Sequence, residues 1–268
     1  MTPTSRHLRR LAAATIALGV LLTGCTATGT VKDPTPVPGS SFSSLRIGIS
    51  FDQPGVGTAT AGAEANGVTT GTDAKGFDVD TATYVAKALG VTPDKITWVK
   101  ADPIDRERLL EEGKVDLVFS SYTITADRAR RVDFAGPYFV AHQDLLIRRN
   151  DEELTGPERL NGRTLCAAAN TTSAQNVLIR YRGDIALVQP NTFSECVEQL
   201  MAGTVDAVTT DDIILAGFAA LPKYKGVLRV IGQGFSDEPY GVAVPKGSTD
   251  LVAKVNTILT GYIADGSW

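Results

Sequence analysis

Histidine is almost missing from this chain: two stand among 268 residues, beside three cysteines, two methionines and two tryptophans. One histidine is His7, close to the start, so only His142 remains for the body of the chain. A zinc site needs three or four nitrogen, sulfur or carboxylate ligands brought together, and this supply argues against one. Positive charge is also short, with 26 Lys and Arg against 30 Asp and Glu and a net charge of −4. A nucleic-acid surface needs a basic stripe, so that class is set aside. Beyond Cys25 no segment is apolar enough to cross a bilayer, which takes roughly 20 apolar residues. No nucleophile beside a base and no nucleotide-cradling loop stands out. What is present, 43% hydrophobic and 21% charged residues, is ordinary for a globular protein. The length suits one large domain or two modest ones.

The first 25 residues read differently. Arg6, His7, Arg9 and Arg10 form a basic start, and Leu11 to Leu22 an apolar run too short to span a membrane. A basic stretch followed by a short apolar core describes an export signal. Its end, Leu22-Thr23-Gly24-Cys25, resembles a bacterial lipobox, in which the cysteine is acylated and becomes the first mature residue. A signal peptide over residues 1–24, lipidation of Cys25 and a flexible, Pro-, Thr- and Gly-rich tether over 25–44 are the expectations. Cys166 and Cys196 then remain, in a compartment where disulfides persist. They could stay as buried thiols; a disulfide between them is the expectation.

From Arg46 the chain alternates strand and helix signals, the grammar of parallel sheets flanked by helices. Arg46 to Phe51 reads as the first strand, and Gly55 to Lys75 as a mobile loop with almost no large apolar side chain. Helices are expected near 79–89, 106–112, 126–131, 173–181 and 193–201, and strands near 96–99, 115–120, 145–148, 164–168, 185–188 and 205–209. Two stretches match. Leu110 to Val118 and Leu200 to Val208 each end a helix at Gly and open a strand with Val-Asp. Eight residues after Gly113 and Gly203 stand Ser121 and Asp211, just past the C-terminal end of a strand, where open α/β sheets bind ligands. Asp116 and Asp206, at the opposite strand ends, read as structural. The pairing suggests two similar lobes that each offer a polar residue to a shared cleft.

The segments Phe51-Asp52-Gln53-Pro54-Gly55, Gly76-Phe77-Asp78-Val79-Asp80, Gly113-Lys114-Val115-Asp116, Thr123 to Arg128, Asp133 to Phe139, Thr210-Asp211-Asp212 and Asp237-Glu238-Pro239-Tyr240-Gly241 carry a resemblance in their order. The chain resembles the extracytoplasmic solute-binding proteins for polar amino acids (family 3 type) that serve ATP-driven ABC importers. Within them it is similar to the glutamate-binding lipoproteins of actinobacteria. The resemblance implies an α/β, two-lobed periplasmic-binding-protein fold (type II), with two parallel-rich sheets joined by two hinge strands. Lobe 1 would be 45–138 with 240–268, and 139–239 the hinge strands and lobe 2. Such proteins usually continue past Asp265-Gly266-Ser267-Trp268 into a final short helix, which leaves the packing of the last helix here open.

The same resemblance assigns a site. Arg128 would grip the ligand α-carboxylate with two parallel bonds, as a planar guanidinium can. Ser121, Thr123 and Thr172 would add hydroxyl and backbone groups, with the start of the helix after Asn170 favouring an anion. Asp211 would accept the α-ammonium, Arg106 would meet an acidic side chain, and Phe51 would pack on the ligand stem. Thr172 or Ser173 would also cap that helix. No catalytic residue, metal or cofactor is expected. The partners implied are free glutamate, an importer permease and ATPase, and the membrane through Cys25, with the protein a monomer. Glutamine, aspartate or asparagine as ligand, a ligand-sensing lipoprotein, and an exported dehydratase of arogenate or prephenate on the same fold are the competing readings.

Overall fold

The computed structural model describes residues 33–39, 42–60, 67–180 and 184–268. The expected signal peptide, Cys25 and the start of the tether lie outside the described residues.

Two sheets carry the chain. In the first, β1 (Leu45–Ile49) lies between β6 (Ile96–Lys100) and β7 (Leu117–Phe119), all parallel. Antiparallel strands close its edges: β4 (Val68–Thr70) on β6, then β14 (Glu238–Pro245) and β8 (Val132–Ala141) beyond β7. The second sheet repeats the plan, with β10 (Thr164–Cys166) parallel to both β11 (Ala186–Val188) and β12 (Ala207–Asp211). Antiparallel β9 (Gln143–Arg148) and β13 (Leu228–Val230) follow β12. A third, small sheet joins β2 (Asp52–Gln53), β3 (Gly57–Ala59) and β5 (Ala74–Lys75). The fold is the two-lobed α/β arrangement, and its sheets are mixed, with a parallel centre and antiparallel edges.

The matched segments occupy matched places. Asp116 accepts the backbone N–H of Arg46 at 2.8 Å, and Asp206 accepts that of Thr164 at 2.8 Å. Each carboxylate thus satisfies a strand-end donor that the ladder leaves open, a structural role.

Among the described residues six α-helices cover the sheets: α1 (Phe77–Ala88), α2 (Arg106–Glu111), α3 (Thr172–Arg180), α4 (Phe193–Ala202), α5 (Asp212–Ala220) and α6 (Thr249–Ala264). α1 and α6 bury Val79, Ala82, Val85, Val255, Ile258 and Leu259 with β1, β7 and β14 in one apolar cluster. The last helix is well packed: the Tyr84 and Tyr262 rings lie 4.6 Å apart, and the Trp268 indole donates to the Tyr138 carbonyl at 2.9 Å. In the second lobe α4 and α5 pack on the other sheet through Val197, Leu200, Leu215 and Phe218. The Cys166–Cys196 disulfide ties β10 to α4, with the Cα atoms 5.4 Å apart.

The chain passes between the sheets twice, from β8 through His142 into β9, and from β13 through residues 231–237 into β14.

Three expectations are corrected. The region read as a mobile loop between Gly55 and Lys75 contains β3, β4 and β5 in its described part, because backbone pairing with neighbours compensates for its lack of large side chains; residues 61–66 lie outside the described residues. The tether is not free over its described part: Val37 donates to the Ala88 carbonyl at 2.9 Å, and Val37 and Phe42 pack against the first apolar cluster. The helix read at 126–131 is a single 3-10 turn, Arg128–Arg130.

Candidate functional site

Strand ends converge on one cavity. β7 runs to Phe119, and two residues later Ser121 turns into the left-handed region at φ 43°. That conformation is uncommon for a non-glycine residue and needs outside support. Asp78, on the first turn of α1, accepts the Ser121 N–H at 2.7 Å, and Gln53 donates to its hydroxyl at 2.7 Å. Asp78 also accepts the Tyr138 hydroxyl at 2.7 Å, and complete burial pushes its carboxyl up to about 6. In the second lobe β12 ends on Asp211 itself, and α3 begins at Thr172.

The cavity between these ends is nearly shut, with about 10 Å³ of room, enough for about one water molecule. Arg106, Ser121, Thr123 and Arg128 line it from one side. From the other come Thr171, Thr172, Ser173, Phe193, Thr210, Asp211 and Ile214. Six of the seven residues expected at a ligand are therefore together. Phe51 is the exception: it is buried in the apolar cluster of the first lobe and does not line the cavity. It follows the end of β1 by two residues, and its ring packs into the core.

The two arginines share one aromatic ring. The Arg106 guanidinium lies 4.1 Å from the Tyr122 ring centroid and that of Arg128 4.9 Å, within the range of cation–π attraction. Arg128 is 8% exposed, donates to the Thr123 carbonyl at 2.8 Å and reaches the Asn170 carbonyl of the other lobe at 3.3 Å. Arg106 is 2% exposed and donates to the Ser120 carbonyl at 3.0 Å, while its Nε and Nη2 have no hydrogen-bond partner among the described residues. Among the described residues it makes no ion pair; it stands buried at the start of α2. Burial and then the Arg128 charge bring its pKa down to about 10. A buried guanidinium with two open donors is costly unless an acceptor meets it.

The acids answer from the opposite side. Asp211 accepts the Tyr240 hydroxyl at 2.5 Å, and burial followed by the nearby Glu238 charge pushes its carboxyl up to about 7. Glu238, 2% exposed at the start of β14, is a residue that sequence reasoning missed. Its Oε2 accepts both the Thr123 hydroxyl at 2.8 Å and the Thr172 hydroxyl at 2.7 Å, and its Oε1 that of Ser236 at 2.7 Å. The two threonine hydroxyls, one from each lobe, are thus directed at the protein's own carboxylate. The available signal was Glu238 in the segment Asp237 to Gly241, which lies at the second crossing. The cap of α3 also differs from expectation: the hydroxyl of Thr171 accepts the Ala174 N–H at 3.1 Å. Capping by Thr171 leaves the Thr172 hydroxyl for Glu238.

The sequence pattern of the bacterial extracellular solute-binding proteins, family 3, matches residues 56–268. The chain belongs to this family. The glutamate-binding protein GluB of Corynebacterium glutamicum is 35% identical over 235 residues, covering 84% of this chain and 76% of its own. The glutamine-binding protein GlnH of Bacillus subtilis is 31% identical over 194 residues, 72% of this chain and 70% of its own. Among solved structures, an ancestral arginine-binding protein bound to glutamine superposes with a TM-score of 0.74 at 31% identity, covering 85% of this chain and 95% of its own. For this family 3 chain, the two-lobed fold and the polar site between the strand ends are the architecture of solute capture outside the cytoplasm.

Proposed function

We propose that this family 3 protein binds a free α-amino acid, L-glutamate foremost, and delivers it to an ABC importer. Arg128 grips the α-carboxylate, Asp211 accepts the α-ammonium, and Arg106 meets the side-chain carboxylate. Ser121, Thr123 and Thr172 frame these contacts. The observation that carries the glutamate reading is Arg106: two buried donors without partners, in the same cavity as Arg128 and Asp211. An anion there recovers the hydrogen bonds that burial took from the guanidinium, in charge-assisted form. The name of the corynebacterial relative supports the same ligand.

Glutamine is the second reading, favoured by the bacillar relative and by the bound glutamine in the ancestral protein. Its side-chain carbonyl can accept from Arg106 but brings no charge. In either case acylated Cys25 would hold the protein, as a monomer, at the outer membrane surface beside its permease and ATPase.

Titration calorimetry with the twenty free amino acids at neutral pH tests the reading. L-Glutamate is expected to bind tightest, with Kd in the micromolar range, about −8 kcal/mol. Tightest binding of a basic or large apolar amino acid would remove the role given to Arg106.

A further inference from the structure

The turn between β2 and β3 belongs to the first lobe by its backbone. The Gly55 carbonyl accepts the Phe77 N–H at 3.0 Å and the Val56 carbonyl accepts that of Asp78 at 2.9 Å, both at the start of α1. Its side chains and remaining backbone engage the second lobe at three places. Val56 is fully buried and belongs to the second lobe's apolar cluster, with Ile214, Leu215 and Phe218. The Pro54 carbonyl oxygen lies 1.8 Å from where a Cβ on Gly217 of α5 would stand, so only glycine permits this approach. Asp52 accepts the N–H of Ser194 at 2.9 Å and also its hydroxyl, at the first turn of α4.

The helices held this way are the ones that wall the cavity. Phe193 opens α4 next to Ser194, and Ile214 lies one turn before Gly217 on α5. Asp52, Val56 and Gly217 do not line the cavity themselves. We propose that the β2–β3 turn is a clamp that sets how closely the lobes approach, with Asp52, Val56 and Gly217 as positioning residues for ligand affinity. A contact made only when the lobes meet raises the fraction of molecules competent to enclose ligand, and apparent affinity scales with that fraction. The clamp rests on the reading of the cavity as an amino-acid site for its affinity consequence alone; its effect on lobe approach does not need a ligand.

The test uses the chain with Cys25→Ser, and spin labels on Thr92→Cys in the first lobe and Glu198→Cys in the second. Gly217→Ala places a methyl group against the Pro54 carbonyl. The ligand-free label distance is expected to lengthen, and Kd for L-glutamate to rise by about tenfold or more. The ligand-free melting temperature is expected to fall somewhat, because Val56 is drawn out of the second lobe's apolar cluster. Asp52→Asn, which adds no bulk, is expected to move distance and Kd the same way by less. Unchanged distances in both variants overturn the clamp, and a longer distance with unchanged Kd overturns its role in affinity. If the distance lengthens but L-glutamate binds neither variant nor parent, the glutamate reading fails and the clamp stands.

Discussion

Arg106 and Arg128 face the same ring, that of Tyr122, yet only Arg128 has its carbonyl partners in both lobes. Arg106 keeps two guanidinium nitrogens open. Two cations this close repel each other, and the Arg128 charge is one of the causes that lowers the Arg106 pKa. An anionic ligand relieves both conditions together.

Replacing Arg106 with Gln should therefore discriminate between ligands. Truncating one partner of a buried charge pair costs about 2–5 kcal/mol, so L-glutamate affinity is expected to fall by roughly 30-fold to several thousand-fold. L-Glutamine affinity should change by much less. Calorimetry with both ligands measures this, and equal losses would show that Arg106 does not read the side-chain charge.

Arg128→Ala is expected to cost affinity on the same scale of about 2–5 kcal/mol. Because Arg128 is buried on Tyr122 and bonded across the lobes, the variant should also melt somewhat lower without ligand. Arg130→Ala is the control: that side chain is largely exposed and, among the described residues, pairs with Asp127. Ligand-induced shifts in melting temperature, lost in the first and kept in the second, are the expected result; equal shifts would remove Arg128 from the site.

Asp211 gives a pH dependence of defined sign. Its carboxyl is raised from 3.8 to about 7 in the folded protein, by burial first and then by Glu238, against the Tyr240 bond and the Arg128 charge. Between those values the folded state holds a proton that the unfolded state has lost, so ligand-free stability should fall as pH rises from 4 to 7. Asp78, raised to about 6, acts in the same direction. Asp211→Asn should flatten this slope in melting curves at pH 5 and pH 8. Binding of an α-ammonium should ionise Asp211, so calorimetry near pH 7 in buffers of different ionisation enthalpy should detect proton release. A slope that survives Asp211→Asn undiminished would assign the effect elsewhere.

The disulfide closes a segment of thirty residues between Cys166 and Cys196. Its loss should cost about 3–4 kcal/mol in the chain-entropy model. Cys166→Ala with Cys196→Ala is expected to lower the denaturant midpoint by that free energy divided by the m value. Because Phe193 on the same helix lines the cavity, ligand affinity should weaken modestly as well. Two titratable thiols in the oxidised, unfolded mature chain would contradict the bond.

Local chemistry made much of this protein legible in the chain itself. Alternating strand and helix periods, glycines closing helices at Gly113 and Gly203, and Val-Asp strand starts marked the parallel centres of both sheets. The strand-end positions of Ser121 and Asp211 followed from the same spacing, since residues at the carboxyl ends of parallel strands face the crevice. The cysteine supply left one pair to join. These features depend on neighbours within a few residues, which a sequence displays.

What only the tertiary structure decided depends on contacts between distant segments. Glu238 lies 115 residues from Thr123 and 66 from Thr172, and no local pattern announces that one carboxylate oxygen takes both hydroxyls. Phe51 adjoins a strand and could face core or cleft; burial in the first lobe's cluster settled it. The Gly- and Thr-rich stretch from Gly55 carries little apolar area, and by composition it had no reason to be ordered. Where it is described, its order comes from backbone pairing and from Val56 entering the other lobe's core, a stabilisation that exists only once both lobes are folded and in contact.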